Sequence, residues 1–151
     1  MNKKNRNLLL LLLLFLAGGA VWCFYPKKKA QKPVVFTEQG QTEILAGDII
    51  LSVFDQNAED GDTIQVYFKG KMIADSLEIL NTPVDYNLGK LAPGEYMIGI
   101  KAINEGSTPP ASAYIRLNRS GASSIDTLPD RVSFSMDAWV DSAASWKLIV
   151  K

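Results

Sequence analysis

From residue 34 onward, apolar side chains fall at every second position in short runs that are separated by turn residues. In residues 63–68, Ile64, Val66 and Phe68 share one face, while Thr63, Gln65 and Tyr67 share the other. A period of two puts alternate side chains on opposite faces of a sheet, so one face is buried and the other is wet. Residues 49–54 alternate in the same way, with Ile49, Leu51 and Val53 on one side. Asp60-Gly61 is a turn signal between these two strands. Lys69-Gly70 is a second, where glycine supplies the positive φ of a tight hairpin turn before a return strand at residues 71–73.

The rest of the domain follows that pattern. Short strands are expected at residues 34–36 and 42–45, around Gln39-Gly40, and at residues 77–80 and 84–88, broken by Asn81-Thr82-Pro83. Ala92-Pro93-Gly94 is a turn, with proline presetting φ and glycine taking the position that needs it positive. Residues 96–103 form the longest apolar strand, with Tyr96, Ile98, Ile100 and Ala102 inward. Residues 105–110 read as a loop. Residues 112–117, 132–136 and 145–150 point Ala113, Ile115, Leu117, Val132, Phe134, Met136, Trp146, Leu148 and Val150 inward. Turn signals at intervals of about 8–12 residues between short alternating strands predict an all-β, Ig-like antiparallel β-sandwich.

The N-terminus breaks the pattern. Residues 1–7 form a basic end, expected on the cytoplasmic side, and residues 8–25 are 18 positions without a charge. At 1.5 Å per residue a helix of that length spans about 27 Å, close to the hydrocarbon thickness of a bilayer. The stretch reads as a single N-terminal transmembrane or signal helix, with Trp22, Phe24 and Tyr25 suited to the membrane interface. Two alternatives stay open: cleavage of a signal peptide near Ala17-Gly18-Gly19-Ala20, and a lipoprotein cysteine at Cys23, against which bulky Trp22 weighs. Residues 26–33 are a basic, proline-bounded linker, and residues 34–151 are the sandwich domain. The expected location is a bacterial inner membrane, single-pass, with the domain in the periplasm; the alternative is secretion or surface display after cleavage.

Charge sharpens this division. Six of the 16 basic residues flank the apolar run and all 16 acidic residues follow it, so the chain from residue 30 carries a net charge of −6. An acidic domain argues against nucleic acid as a partner, because phosphates demand a basic surface. The chain has no histidine and its single cysteine lies in the apolar run. The domain therefore has no disulfide, no Cys/His zinc site, no Ser-His-Asp triad and no cysteine nucleophile. Carboxylate pairs are the only catalytic chemistry left, and so short a sandwich offers little cleft for them. A non-enzymatic module is expected, without a required cofactor.

From Asp55 to the C-terminus the chain resembles a β-sandwich module of secreted and envelope proteins of Bacteroidetes-type bacteria. The matching residues are Glu59-Asp60-Gly61-Asp62, then Lys69-Gly70-Lys71, then the element Ala102-Ile103-Asn104-Glu105-Gly106-Ser107-Thr108-Pro109-Pro110. Lys69 stands where the module has asparagine, and Ala111-Ser112 where it has Asn-Thr. The resemblance implies fold and compartment and transfers no catalytic residue.

Three candidate sites emerge. Asp55, Glu59, Asp60 and Asp62 place four carboxylates within eight residues and can supply oxygen ligands to Ca²⁺, although their spacing is not that of an EF-hand. The plainer alternative is a solvated turn in which aspartates bond nearby N–H groups. Asn104, Pro109 and Pro110 lie in a rigid loop suited to presenting a partner surface, since prolines fix φ and a stiff loop loses little entropy on binding. Trp139, flanked by acids, is the tryptophan expected to be exposed, and with Tyr67, Tyr86, Tyr114 and Trp146 raises carbohydrate as a ligand class. The expected partners are thus the membrane, through residues 8–25, and a protein of the cell envelope, with carbohydrate as the alternative.

Overall fold

The computed structural model describes residues 33–57, 59–120 and 130–151. The expected membrane or signal segment, its cysteine and most of the linker lie outside the described residues. No helix among the described residues is long and apolar enough to cross a membrane. Residues Val34–Lys151 form one compact unit.

That unit is all-β. Nine strands run as β1 (Thr37–Ile44), β2 (Gly47–Phe54), β3 (Asp62–Phe68), β4 (Lys71–Glu78), β5 (Val84–Leu91), β6 (Gly94–Glu105), β7 (Ala111–Arg119), β8 (Arg131–Ala138) and β9 (Ala143–Val150). They form a five-stranded sheet of order β1-β9-β6-β3-β4 and a four-stranded sheet of order β5-β2-β7-β8. The inward positions of both sheets meet in one core. Ile64, Val66, Ile98, Ile100 and Leu148 come from the first sheet, and Ile49, Leu51, Ile115, Leu117 and Met136 from the second. Each is fully buried, which is worth about 1.5–3 kcal/mol per large aliphatic side chain. Phe134 of β8 stacks on Trp146 of β9 at 4.3 Å and 8°, closing one side where the sheets approach.

Several boundaries differ from expectation, each for a physical reason. Residues 34–36 are not a strand, and Gln39-Gly40 does not divide two strands; β1 runs straight through it with a bulge between Glu38 and Gly40. The glycine there serves packing. A Cβ on Gly40 would sit 2.5 Å from the Trp146 ring, so the missing side chain makes room for the indole. The sheet is not wholly antiparallel, because β1 pairs with β9 in parallel register from Thr37↔Ala144 to Ile44↔Val150. The expected break between residues 73 and 77 is absent as well. β4 is one edge strand whose pairing with β3 shifts twice, so its apolar period drifts. Such irregularity twists an edge away from foreign strands. Lys69 and Gly70 both have positive φ (53° and 73°), the mark of the two-residue hairpin turn joining β3 to β4.

The outer faces also carry surprises. Tyr67 points outward yet is only 8% exposed. Phe36, just before β1, lies against it edge-on at 5.2 Å, so the segment entering the domain covers that ring. Trp146 is only partly buried, packing at the rim of the core through Phe134. Val132 and Tyr96 likewise sit at the margin of the core, not within it.

Candidate functional site

One end of the sandwich gathers the β2–β3, β6–β7 and β8–β9 connections together with the start of β1. Register places them there: Asp62 pairs with Glu105, Ala111 with Ala138, and Thr37 with Ala144. Asp55, Glu59, Asp60, Asp62, Asn104, Pro109, Pro110 and Trp139 all belong to these connections or the strand ends beside them.

The four acids line one depression of about 480 Å³, with Asn57, Ser107, Thr108, Pro109, Pro110 and Ser112. One carboxylate oxygen of each is bound to a backbone N–H. Asp55 Oδ1 accepts from Asn57 N at 2.7 Å, and Glu59 Oε1 from Asn81 N at 2.7 Å. Asp60 Oδ2 accepts from Thr108 N, and Asp62 Oδ2 from Ser112 N, both at 3.0 Å. Asp60 also takes Ser107 N on its backbone carbonyl at 3.1 Å. These bonds satisfy N–H groups that a proline-rich loop cannot pair in a ladder. Asp60 and Asp62 thus fasten the β2–β3 loop onto the β6–β7 loop, while Asp55 closes its own loop and Glu59 ties it to the β4–β5 connection. Gly106 is required at that contact. Its φ is +58°, and a Cβ would stand 2.5 Å from Asp60 Oδ1 and 2.6 Å from Asp60 O.

Among the described residues no group of three or more acidic side chains gathers closely enough to hold a metal by itself. Two oxygens stand out nonetheless: Asp60 Oδ1 and Asp62 Oδ1 are buried without a hydrogen-bond partner. Burial is the main cause that pushes the Asp62 carboxyl above its ordinary range; the Ser112 N–H pulls it back down. The charges of Asp60 and Asp55 raise it further.

Asn104 sits on β6 beside this knot. Its amide donates to Gly61 O at 3.1 Å and accepts from Gly106 N at 3.2 Å, so it braces the two loops from within. Pro109 and Pro110, joined by a cis peptide, form the rim. Pro110 also borders a second depression of about 490 Å³, lined by Thr37, Gln39, Asp137, Trp139, Ser142, Ala143 and Ala144. No lysine or arginine lines either depression among the described residues.

Trp139 stands at the tip of the β8–β9 turn, 57% exposed, with Val140 beside it at 46%. The turn is held firmly. Trp139 N donates to Ser142 Oγ, Trp139 O accepts from both Ser142 N and Oγ, all at 2.9 Å, and Val140 N donates to Glu105 Oε1. Gln39 clamps the strand two residues before Trp139, donating to Asp137 O at 2.7 Å and accepting from Asp137 N at 3.0 Å. Asp137 Oδ1 accepts from Ser112 Oγ at 2.8 Å, which links the second depression to the first. The other aromatics named above lie elsewhere. Tyr67 is under Phe36, Tyr114 is edge-on to Phe54 at 5.0 Å, and Tyr86 packs against the core.

Sequence reasoning missed Ser112, Gln39, Asp137, Glu105 and Ser142. Single polar residues on alternating strands carry no local signal, and their partners are distant in the chain. No family model, curated protein or solved structure matches this chain.

Proposed function

We propose that this is a non-enzymatic, Ig-like sandwich that acts as an interaction or accessory subunit in a bacterial envelope. The apolar segment at residues 8–25 would hold it in the inner membrane, and its domain would work on the periplasmic side. The observation that carries the reading is Trp139: a large aromatic, more than half exposed, fixed in a hydrogen-bonded turn at the acidic end. Tryptophans in such settings are the usual anchors of protein interfaces, since a preordered ring buries much area at little entropic cost. The surrounding acids favour a partner with an apolar pocket ringed by basic side chains.

A photocrosslinking residue at position 140, beside an intact Trp139 in the full-length chain and in its own membranes, tests the reading against one at Lys69 on the opposite end. A single discrete adduct from position 140 alone supports it, and equal or absent labelling overturns it. A second reading, a secreted or surface module for carbohydrate, rests on the depression beside Trp139, where Thr37, Gln39, Asp137 and Ser142 offer polar groups next to an aromatic face. Retention of the chain on glycan columns, lost in Trp139→Ala, would favour it.

A further inference from the structure

Hydrogen bonding leaves one arrangement at the acidic end unbalanced. Asp60 and Asp62 each spend Oδ2 on a backbone N–H and leave Oδ1 buried without a donor. Asp62 is 4% exposed, so solvent does not compensate for the missing partner. The two carboxyls line the same depression, and Asp55, 7% exposed, adds a third carboxyl to it. Buried carboxylate oxygens without a donor or counterion are costly, and like charges in one depression add to the cost. What is missing is a positive centre, and the lining of the depression supplies no cation.

We propose that this depression binds one divalent cation of the calcium class, with Asp60 Oδ1 and Asp62 Oδ1 as its anionic ligands. The neutral oxygens that border it belong to Asn57, Ser107, Thr108 and Ser112, and water completes the shell. Calcium suits this set because it accepts six to eight oxygens in irregular geometry, whereas magnesium demands a near-ideal octahedron. With only two carboxylates, the affinity falls in the weak range of extracellular modules, about 10⁻⁴–10⁻³ M. The ion would lock the β2–β3 loop to the β6–β7 loop. The site stands whether or not Trp139 docks a partner.

The test is a calcium titration of the full chain in detergent at pH 7, read by equilibrium dialysis and by thermal midpoint. One Ca²⁺ per chain is expected, half-saturated at about 0.1–1 mM. The midpoint should rise by about 5–15 °C at 10 mM CaCl₂, with a much smaller rise in MgCl₂. Asp62→Asn keeps an acceptor for Ser112 N, so it should fold and lose binding at least ten-fold; Asp60→Asn is the second variant, with the same expectation. No bound calcium at 10 mM would overturn the proposal. So would unchanged binding in both variants. If the wild type binds none and Asp62→Asn is the more stable protein without calcium, a shared proton bridges the pair instead.

Discussion

The two ends of the sandwich are closed by different chemistry. At the end carrying the β3–β4 and β5–β6 turns, the two turns are joined by a backbone bond from Lys69 N to Met97 O at 3.0 Å and by ring contacts. Lys69 lies over the Tyr96 ring at 4.5 Å and the Phe68 ring at 5.3 Å, and Tyr96 Oη donates to Ala92 O four residues away at 2.8 Å. At the other end, the connections are tied to each other across 48 to 50 residues, from Thr108 N to Asp60 and from Ser112 N to Asp62. Mutual closure through carboxylates makes a shaped surface whose parts fail together, and it is there that buried carboxyls and an exposed tryptophan collect.

This contrast can be broken by substitution. The largest effect is expected for Gly106→Ala. A side chain there needs an unfavourable positive φ and drives a methyl into Asp60, for a loss of about 2–4 kcal/mol in denaturant unfolding. Asp62→Ala strips the acceptor from Ser112 N and should cost about 1–3 kcal/mol. Lys69→Ala, at the opposite end, removes the cation–π contacts to Tyr96 and Phe68 and should cost about 0.5–1 kcal/mol. Trp139→Ala should change stability least, within about 0.5 kcal/mol, because the ring faces solvent. It should nonetheless abolish the crosslinkable partner.

Acidity sharpens the same comparison. Asp62 has its folded-state pKa raised, chiefly by burial. A raised carboxyl binds its proton more tightly in the folded than in the unfolded state. In the absence of divalent cations its stabilising contribution is therefore full below the unfolded value of about 4 and is lost as pH rises through the folded value. Thermal midpoints of the metal-free chain should show this rise on acidification, and Asp62→Asn should flatten it. Lys69→Ala should leave the slope as in wild type.

What could be read from the chain divides along the same line. The alternation of Ile49, Leu51 and Val53, and of Ile64, Val66 and Phe68, marks core positions because strand geometry forces a period of two. The Lys69-Gly70 turn is legible because its demand for positive φ is local. Gly40 misleads for the reason that it serves an indole more than 100 residues away. The Asp-Gly-Asp cluster is visible as carboxylates, and the Pro-Pro element as a stiff loop. Nothing local says that one is bound to the other. Gln39, Ser112 and Asp137 carry no signal at all, because their roles exist only once distant strands pair.

The most direct test of this account is amide hydrogen exchange of Thr108 and Ser112 in the full chain. Mutual closure predicts that both amides, though they lie at a proline-rich connection, are protected well beyond ordinary loop amides, and that Asp60→Ala and Asp62→Ala release them selectively. Rapid exchange of both amides in the intact wild-type fold would contradict it.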